Sequence, residues 1–336
     1  MVLGGELVED PLLCLGIEST AHTIGVGIAA SDGRILANEN ETYKPSRGGI
    51  HPREAAQHHA SVAHIVLRRA LNSAGISPRE IDAVAFSVGP GLGPCLRTGA
   101  TLARALALKF EKDLIPVNHG VAHIEIGRHV TGFKDPVVLY VAGGNTLVTT
   151  HHEGRFRILG ETLDIAAGNC LDVFGIKAGI GPMPAPEDYA RRGVQLHHIP
   201  LRVKGMDVSF SGVLTASERL LNEGKRLEDV ALSVTEAVYS MLTEVLERAV
   251  ALTEKREILL VGGLAKSRRL QQMVSEMAAL HSAEFKPIPD EYLGDNGAMI
   301  AWTGIQMLRY GLTVRVEESF VKPKLRVDES EVPWID

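Results

Sequence analysis

The sequence predicts an α/β protein built as two similar domains, and three observations predict it. The chain of 336 residues is long for one domain and comfortable for two. Three strands followed by alternating helices and strands occur twice, opening at residues 12–43 and again at 137–160. Each opening carries a tight bend between its first two strands, within IESTAHT and VAGGNT. Hydrophobic residues at 45% and charged residues at 23% are the globular mix, which excludes disordered and fibrous classes. No apolar run approaches the ~20 residues of a membrane span. MVLGGELVEDP has acids and no basic flank, so no signal peptide is expected there. Cys14, Cys95 and Cys170 are widely spaced and form no CxxC, the usage of a reducing cytosol, so a cytoplasmic location is expected.

In the first half, LLCLGIE (12–18), TIGVGIAA (23–30) and ILANENETY (35–43) read as strands, with Ser31-Asp32-Gly33 as a hairpin turn. Apolar Ala56, Val62, Ile65, Val66 and Leu67 favour a helix over 52–74. Then come a strand (83–88), the rigid loop GPGLGP (89–94), a helix (96–109), a strand (115–118) and a helix from 119 to 130. The second half repeats the pattern with strands 137–142, 146–150 and 155–160. After a middle section, helices are expected over 227–253, 268–280 and 298–310, with strands at 257–262 and 284–288. The expected domains are 1–135 and 136–320, the second interrupted by an insertion at about 163–226, with a tail over 321–336. A cleft is expected between the two.

The bend in LGIESTAHTIGVGI offers backbone N–H groups and the hydroxyls of Ser19, Thr20 and Thr23, a setting that can hold a phosphate or be an ordinary hairpin. In LYVAGGNTLV, Gly143 and Gly144 allow close backbone approach and Thr146 adds a hydroxyl. Two such bends, one per half, are the pattern of the duplicated actin/sugar-kinase-like (ribonuclease-H-like) nucleotide-binding fold. VGGLAKSRRL (261–270) adds a strand, a Gly-Gly turn and a helix start, where nucleotides are commonly met. None of the three matches GxGxxG or the Walker pattern, which disfavours a simple dinucleotide enzyme or a P-loop ATPase.

His119 and His123 stand four apart in NHGVAHIEI, which on a helix puts both imidazoles on one face, suited to one metal ion or to a satisfied core pair. Gly120 occupies the place of the glutamate base in H-E-x-x-H, so a zinc protease is disfavoured. Asp295 in GDNGAMIA is the attractive third ligand, with helix capping as its other reading. His51, His58, His59 and His64 read as core or surface histidines, and KGMDVSFSG (204–212) as an interactive segment of unassigned chemistry.

A formal charge of −6 argues on bulk grounds against a nucleic-acid binder. Local clusters run the other way: Arg191, Arg192, Arg202 and Lys204 with His197 and His198, and Lys266 with Arg268 and Arg269. Each is either a solvated face or a meeting point for phosphates.

Taken together, IESTAHTIGVGI, GGIHPREAAQHH, GPGLGPCLR, VNHGVAHIEIG, LYVAGGNT, GETLDIAAGNCLDVF, KGMDVSFSG and DNGAMIA resemble the universal tRNA N6-adenosine threonylcarbamoyltransferase family, formerly called glycoproteases. Its archaeal and eukaryotic branch is the catalytic subunit of the KEOPS complex. The resemblance implies transfer of a threonylcarbamoyl group from its adenylate to N6 of the adenosine beside the anticodon in ANN-decoding tRNAs. It implies one divalent ion, iron by preference with zinc or manganese as alternatives, on His119, His123, Tyr140 and Asp295. It assigns Tyr140, Val141, Ala142, Gly143, Gly144 and Asp172 to the adenine nucleotide or threonylcarbamoyl-AMP. Implied partners are tRNA and other KEOPS subunits, including the small kinase and the dimerising subunit, and no membrane.

Three family positions depart: a glycine is Ala185, the ribose-binding glutamate falls on Tyr189, and the adenine-contacting asparagine is Ser267. Glu187 or Asp188 can take over the ribose contact from a shifted loop. An acyltransferase is the leading reading; a binding or scaffold subunit with a degenerate nucleotide site is its rival, and a small-sugar kinase is weaker still. No side chain stands out as a covalent nucleophile. The acceptor of the amine proton is unassigned, and nothing places Asp10 or Glu18 for that role.

Overall fold

The computed structural model describes residues 10–45, 49–142 and 144–335. The apolar runs of the first half become β1 (Leu13–Glu18), β2 (Thr23–Ala30) and β3 (Ile35–Thr42). Then follow α1 (Pro52–Ala74), β4 (Ala83–Gly89), α2 (Gly93–Phe110), β5 (Asp113–Asn118) and α3 (His119–Thr131). Proline in the first turn of α1 and Gly75 at φ 69° after its last fix both ends of that helix. The strands form one sheet in the order β3-β2-β1-β4-β5, antiparallel across β1–β2–β3 and parallel across β1–β4–β5.

The second half gives β6 (Val137–Val141), β7 (Thr146–His152) and β8 (Arg155–Glu161). The middle section holds α4 (Ala167–Lys177), α5 (Ala185–Ala190), β9 (Val203–Lys204), β10 (Asp207–Val208) and α6 (Ser211–Asn222). After it come α7 (Leu227–Thr253), β11 (Glu257–Val261), α8 (Arg268–Leu280), β12 (Glu284–Phe285), α9 (Asp290–Leu293) and α10 (Gly297–Arg309). Here the sheet order is β12-β11-β6-β7-β8. Read from its other end, it repeats the first sheet strand for strand, with the same antiparallel and parallel pairs. The duplicated α/β fold is therefore present. The strand expected over 284–288 shrinks to the two residues of β12.

Contacts divide the chain into two units, and not at 135/136 as expected. The first unit runs to Ile126 and resumes over Asp295–Arg326, whereas the second takes Gly127–Gly294 and resumes at Val327. The physical reason is the seat of α10. A Cβ on Gly16 of β1 would lie 2.1 Å from the Ala301 nitrogen, and one on Gly27 of β2 would lie 2.2 Å from the Ala298 nitrogen. Backbone meets backbone there, an approach only glycine allows. The following segment stays with the first sheet: Val314 N donates to Leu114 O at 2.9 Å and Lys322 N to Val88 O at 2.7 Å. Beyond Arg326 the chain joins the second unit, where Val332 N donates to Gly154 O at 2.8 Å and Val332 and Ile335 are buried. The residues expected to form a separate tail over 321–336 are thus shared between the units.

The core of the first unit packs Ile17, Val26 and Ile28 of the sheet against Val66 of α1 and Ala100 and Ala103 of α2. In the second, α7 buries fifteen residues, Tyr239 among them, consistent with a helix inside its unit rather than on its surface. Among the described residues no helix is long and apolar enough to cross a membrane.

Candidate functional site

In the first unit, β5 ends at Asn118, and the Asn118 side-chain oxygen accepts from Gly120 N at 2.9 Å, starting α3 at His119. Four residues later His123 returns to the same face, and the two rings stand perpendicular with centroids 4.7 Å apart. Asp295 arrives from the other end of the sequence. Its neighbour Asn296 caps α10 by accepting from Met299 N at 2.9 Å, so the capping reading of Asp295 passes to Asn296. Asp295 Oδ1 lies 3.5 Å from His119 Nε2 and 3.3 Å from His123 Nε2.

These three residues gather ligand atoms within 4.8 Å of one another. Donors on one metal at ~2.1 Å, with roughly tetrahedral angles, stand ~3.4 Å apart, so the donor set and its spacing fit a divalent cation. Both histidines are nearly inaccessible to solvent. Burial alone would depress the His119 imidazolium, but the carboxylates of Glu18 and Asp295 outweigh it and lift the ring to about 9. Burial depresses His123, and the bond to Asp295 only partly opposes it. Burial alone would raise Asp295, yet His119 and His123 hold it well below the usual carboxylate range.

Glu18, at the end of β1, had no assigned place near the chemistry. The structure puts it under His119: wholly buried, it stands with Oε2 3.0 Å from His119 Nδ1. Its Oε1 accepts from Thr20 N at 2.7 Å and from the Thr20 hydroxyl at 2.5 Å. A carboxylate closing an apolar strand was the available sequence signal, since a buried acid demands a partner.

That arrangement also occupies part of the first bend. Ser19 N donates to Ser87 Oγ at 3.0 Å, and Thr20 spends both donors on Glu18. Ser19, Thr20 and Thr23 are buried, so the bend presents none of these hydroxyls to a ligand. At the second bend Ala142 N donates to Asn145 O at 3.0 Å, and Thr146 Oγ1 accepts from Ala167 N at 2.9 Å at the start of α4. Gly143 lies outside the described residues, and Gly144 is exposed.

The other nucleotide candidates belong to the second unit. Tyr140 and Val141 are buried at the end of β6, and Asp172 of α4 accepts from Met183 N at 2.8 Å. α5, α7 and the start of α8 border an open cavity of about 450 Å³ lined by Glu187, Thr235, Glu236, Tyr239, Arg268 and Arg269, with Arg191 and Leu196 at its wall. Glu187, buried at the first turn of α5, accepts a hydrogen bond from the Tyr239 hydroxyl. Burial and this carboxylate push the Tyr239 phenol well above its usual value. Arg269 binds Glu236 through two bonds of 2.7 Å each.

The sequence positions Tyr189 and Ser267 fall beside this cavity rather than on its lining. Tyr189 is covered by Arg192, whose guanidinium carbon lies 4.2 Å from the ring centre. Ser267 is buried and caps α8, accepting from Leu270 N at 3.1 Å. Ala185 opens α5 and lies outside the lining as well. Two residues before Tyr189, Glu187 places a buried carboxylate on the lining.

A profile of the family described as TsaD, tRNA N6-adenosine threonylcarbamoyltransferase, matches residues 34–302. The chain belongs to this family. The family enzyme of Thermofilum pendens (strain DSM 2475 / Hrk 5) is 56% identical over 326 residues, covering 96% of this chain and 97% of that one. That of Caldivirga maquilingensis is 52% identical over 327 residues, covering 96% and 98%. Among solved structures, component A of the (R)-2-hydroxyglutaryl-CoA dehydratase of Acidaminococcus fermentans superposes with a TM-score of 0.56. At 14% identity, over 89% of this chain and 99% of that one, this likeness concerns the fold alone.

Proposed function

We propose that this family member transfers the threonylcarbamoyl group from threonylcarbamoyl-AMP to N6 of the adenosine next to the anticodon in ANN-decoding tRNAs. The observation that carries the reading is the convergence of His119, His123 and Asp295, from distant parts of a family sequence, on one cation-sized centre. When bound there, a divalent ion supplies Lewis acidity toward an oxygen of the adenylate, and iron is the first choice with zinc and manganese behind it. The family pattern adds Tyr140 to the ligands and gives Val141, Ala142, Gly143, Gly144 and Asp172 to the adenylate. In the reaction the adenosine amine attacks the carbamoyl carbon, the bond to the phosphate oxygen breaks, and AMP leaves. AMP is a good leaving group, so positioning and charge stabilisation suffice without a covalent intermediate on the protein.

The cavity supports an active site over a degenerate scaffold. Ala185, Tyr189 and Ser267 lack the family's contacts, but a buried carboxylate and a buried phenol, Glu187 and Tyr239, remain beside two arginines. We assign the ribose contact to Glu187. The chain works in the cytoplasm with other KEOPS subunits, the small kinase and the dimerising subunit among them, and its net charge of −6 suits a subunit that shares the grip on tRNA.

The deciding measurement is a reconstituted reaction with tRNA, threonylcarbamoyl-AMP and the partner subunits. Threonylcarbamoyladenosine should form with the wild-type chain and fail to form with His119→Ala. Product undiminished in His119→Ala would sink the metal-centred reading, and no product from the wild type despite bound nucleotide would favour the scaffold.

A further inference from the structure

We propose that Glu18 is a positioning residue of the metal centre: its carboxylate fixes the His119 ring so that Nε2, and not Nδ1, faces the cation. The proposal rests on the metal reading of His119, His123 and Asp295.

A histidine binds a metal through one nitrogen, and the hydrogen bond made by the other decides which. Oε2 of Glu18 lies 3.0 Å from His119 Nδ1, while Nε2 of the same ring points to Asp295 Oδ1 at 3.5 Å. A carboxylate only accepts, so the proton belongs on Nδ1 and the Nε2 lone pair is left for the ion. Glu18 is itself held from behind. Its other oxygen takes both the backbone N–H and the hydroxyl of Thr20, which leaves the carboxylate little freedom to turn.

Burial makes this more than a contact. Glu18 is 0% exposed, and a buried carboxylate is costly unless paired and hydrogen-bonded. A strand end that needed only to close the bend could do so with a neutral side chain. An acid here adds negative charge behind the ligand, which makes the imidazole a better donor. The Thr20 bend, whose donors are turned inward and therefore unavailable to a phosphate, acquires a role as the back support of the metal site.

The test is cation binding by the full-length chain, followed with Co²⁺ and Mn²⁺ in competition with a chelator, alongside the visible Co²⁺ spectrum. Glu18→Gln keeps the shape but offers only one accepting oxygen for Thr20 and His119 together. Glu18→Gln and Glu18→Ala should bind the cation about 10–100-fold more weakly, with an altered Co²⁺ spectrum. Thr20→Val, which retains the backbone donor, should weaken binding less than either Glu18 variant. A merely structural role would lower the melting temperature and leave affinity and spectrum in place. Folded Glu18→Gln with wild-type affinity and spectrum would overturn the proposal. Absence of cation binding by the wild type would instead overturn the metal reading, and the proposal with it.

Discussion

The two sheets share one strand order, but their polar residues are put to different uses. In the first, the bend after β1 turns inward: Thr20 holds Glu18, and Glu18 holds His119. In the second, the bend after β6 closes on itself through Ala142 and Asn145, and Thr146 starts α4. A cavity of that unit lies elsewhere, among α5, α7 and α8. Duplication therefore supplied a scaffold twice, while the side chains at matching places diverged. One copy carries a buried charge cluster, the other a cavity of about 450 Å³ with its carboxylate bonded to a phenol.

The sharpest way to break this comparison is to remove a ligand from the first unit. His119→Ala should lower cation affinity by at least ~100-fold and abolish product formation, with adenine-nucleotide binding measured in chelator, without the ion, little changed. Parallel loss of both affinities would mean that the two regions do not work separately. Next in size is a packing change: Gly27→Ala drives a methyl group into the Ala298 backbone and should cost about 3 kcal/mol of stability, read by denaturant unfolding. Because α10 carries Asp295 at its foot, the same variant should bind Co²⁺ more weakly.

A smaller effect is expected in the second unit. Glu187→Ala should weaken adenine-nucleotide binding by ~1–2 kcal/mol, measured by titration calorimetry, while Tyr239→Phe should cost ~1 kcal/mol. Neither should shift cation affinity. The smallest effect concerns Asp164, whose carboxylate accepts from the Ser209 hydroxyl at 2.6 Å and from Phe210 N and Ser211 N at 2.9 and 3.0 Å. Burial would raise this carboxyl, but those bonds hold it well below the usual range. A depressed carboxyl contributes its stability above the unfolded value near ~3.9 and loses it as pH falls toward the folded one. Asp164→Ala should thus cost ~1 kcal/mol at neutral pH, with the gap to wild type narrowing below about pH 4 in thermal melts.

Much of this was legible in the sequence because the signals were local. Apolar runs and helical spacing located the long elements outside the middle section, where α4 and α6 were missed, and the i,i+4 histidines announced their shared face. What the sequence hid was distance. Nothing near residue 18 says that its carboxylate will sit beneath residue 119, nor does residue 295 announce which sheet its helix will cover. The sequence left Glu187 and Asp188 as alternatives, because motif alignment fixes only spacing, whereas α5 fixes which of the two carboxylates turns inward: Glu187 is buried on the cavity lining and Asp188 is not.

The seat of α10 has a consequence for how the protein is made. Synthesis runs from the N-terminus at roughly 5–20 residues per second, and domains commonly close as they emerge. The second unit has most of its residues before 294, but the first cannot cover the β1–β2 face until Gly297–Arg309 has left the ribosome. For the time that intervenes, a nearly complete sheet waits with one face bare. His119 and His123 wait with it for their carboxylate. The cation site is thus one of the last features of the molecule to exist, so a truncated or stalled chain has no finished centre in which to hold a metal.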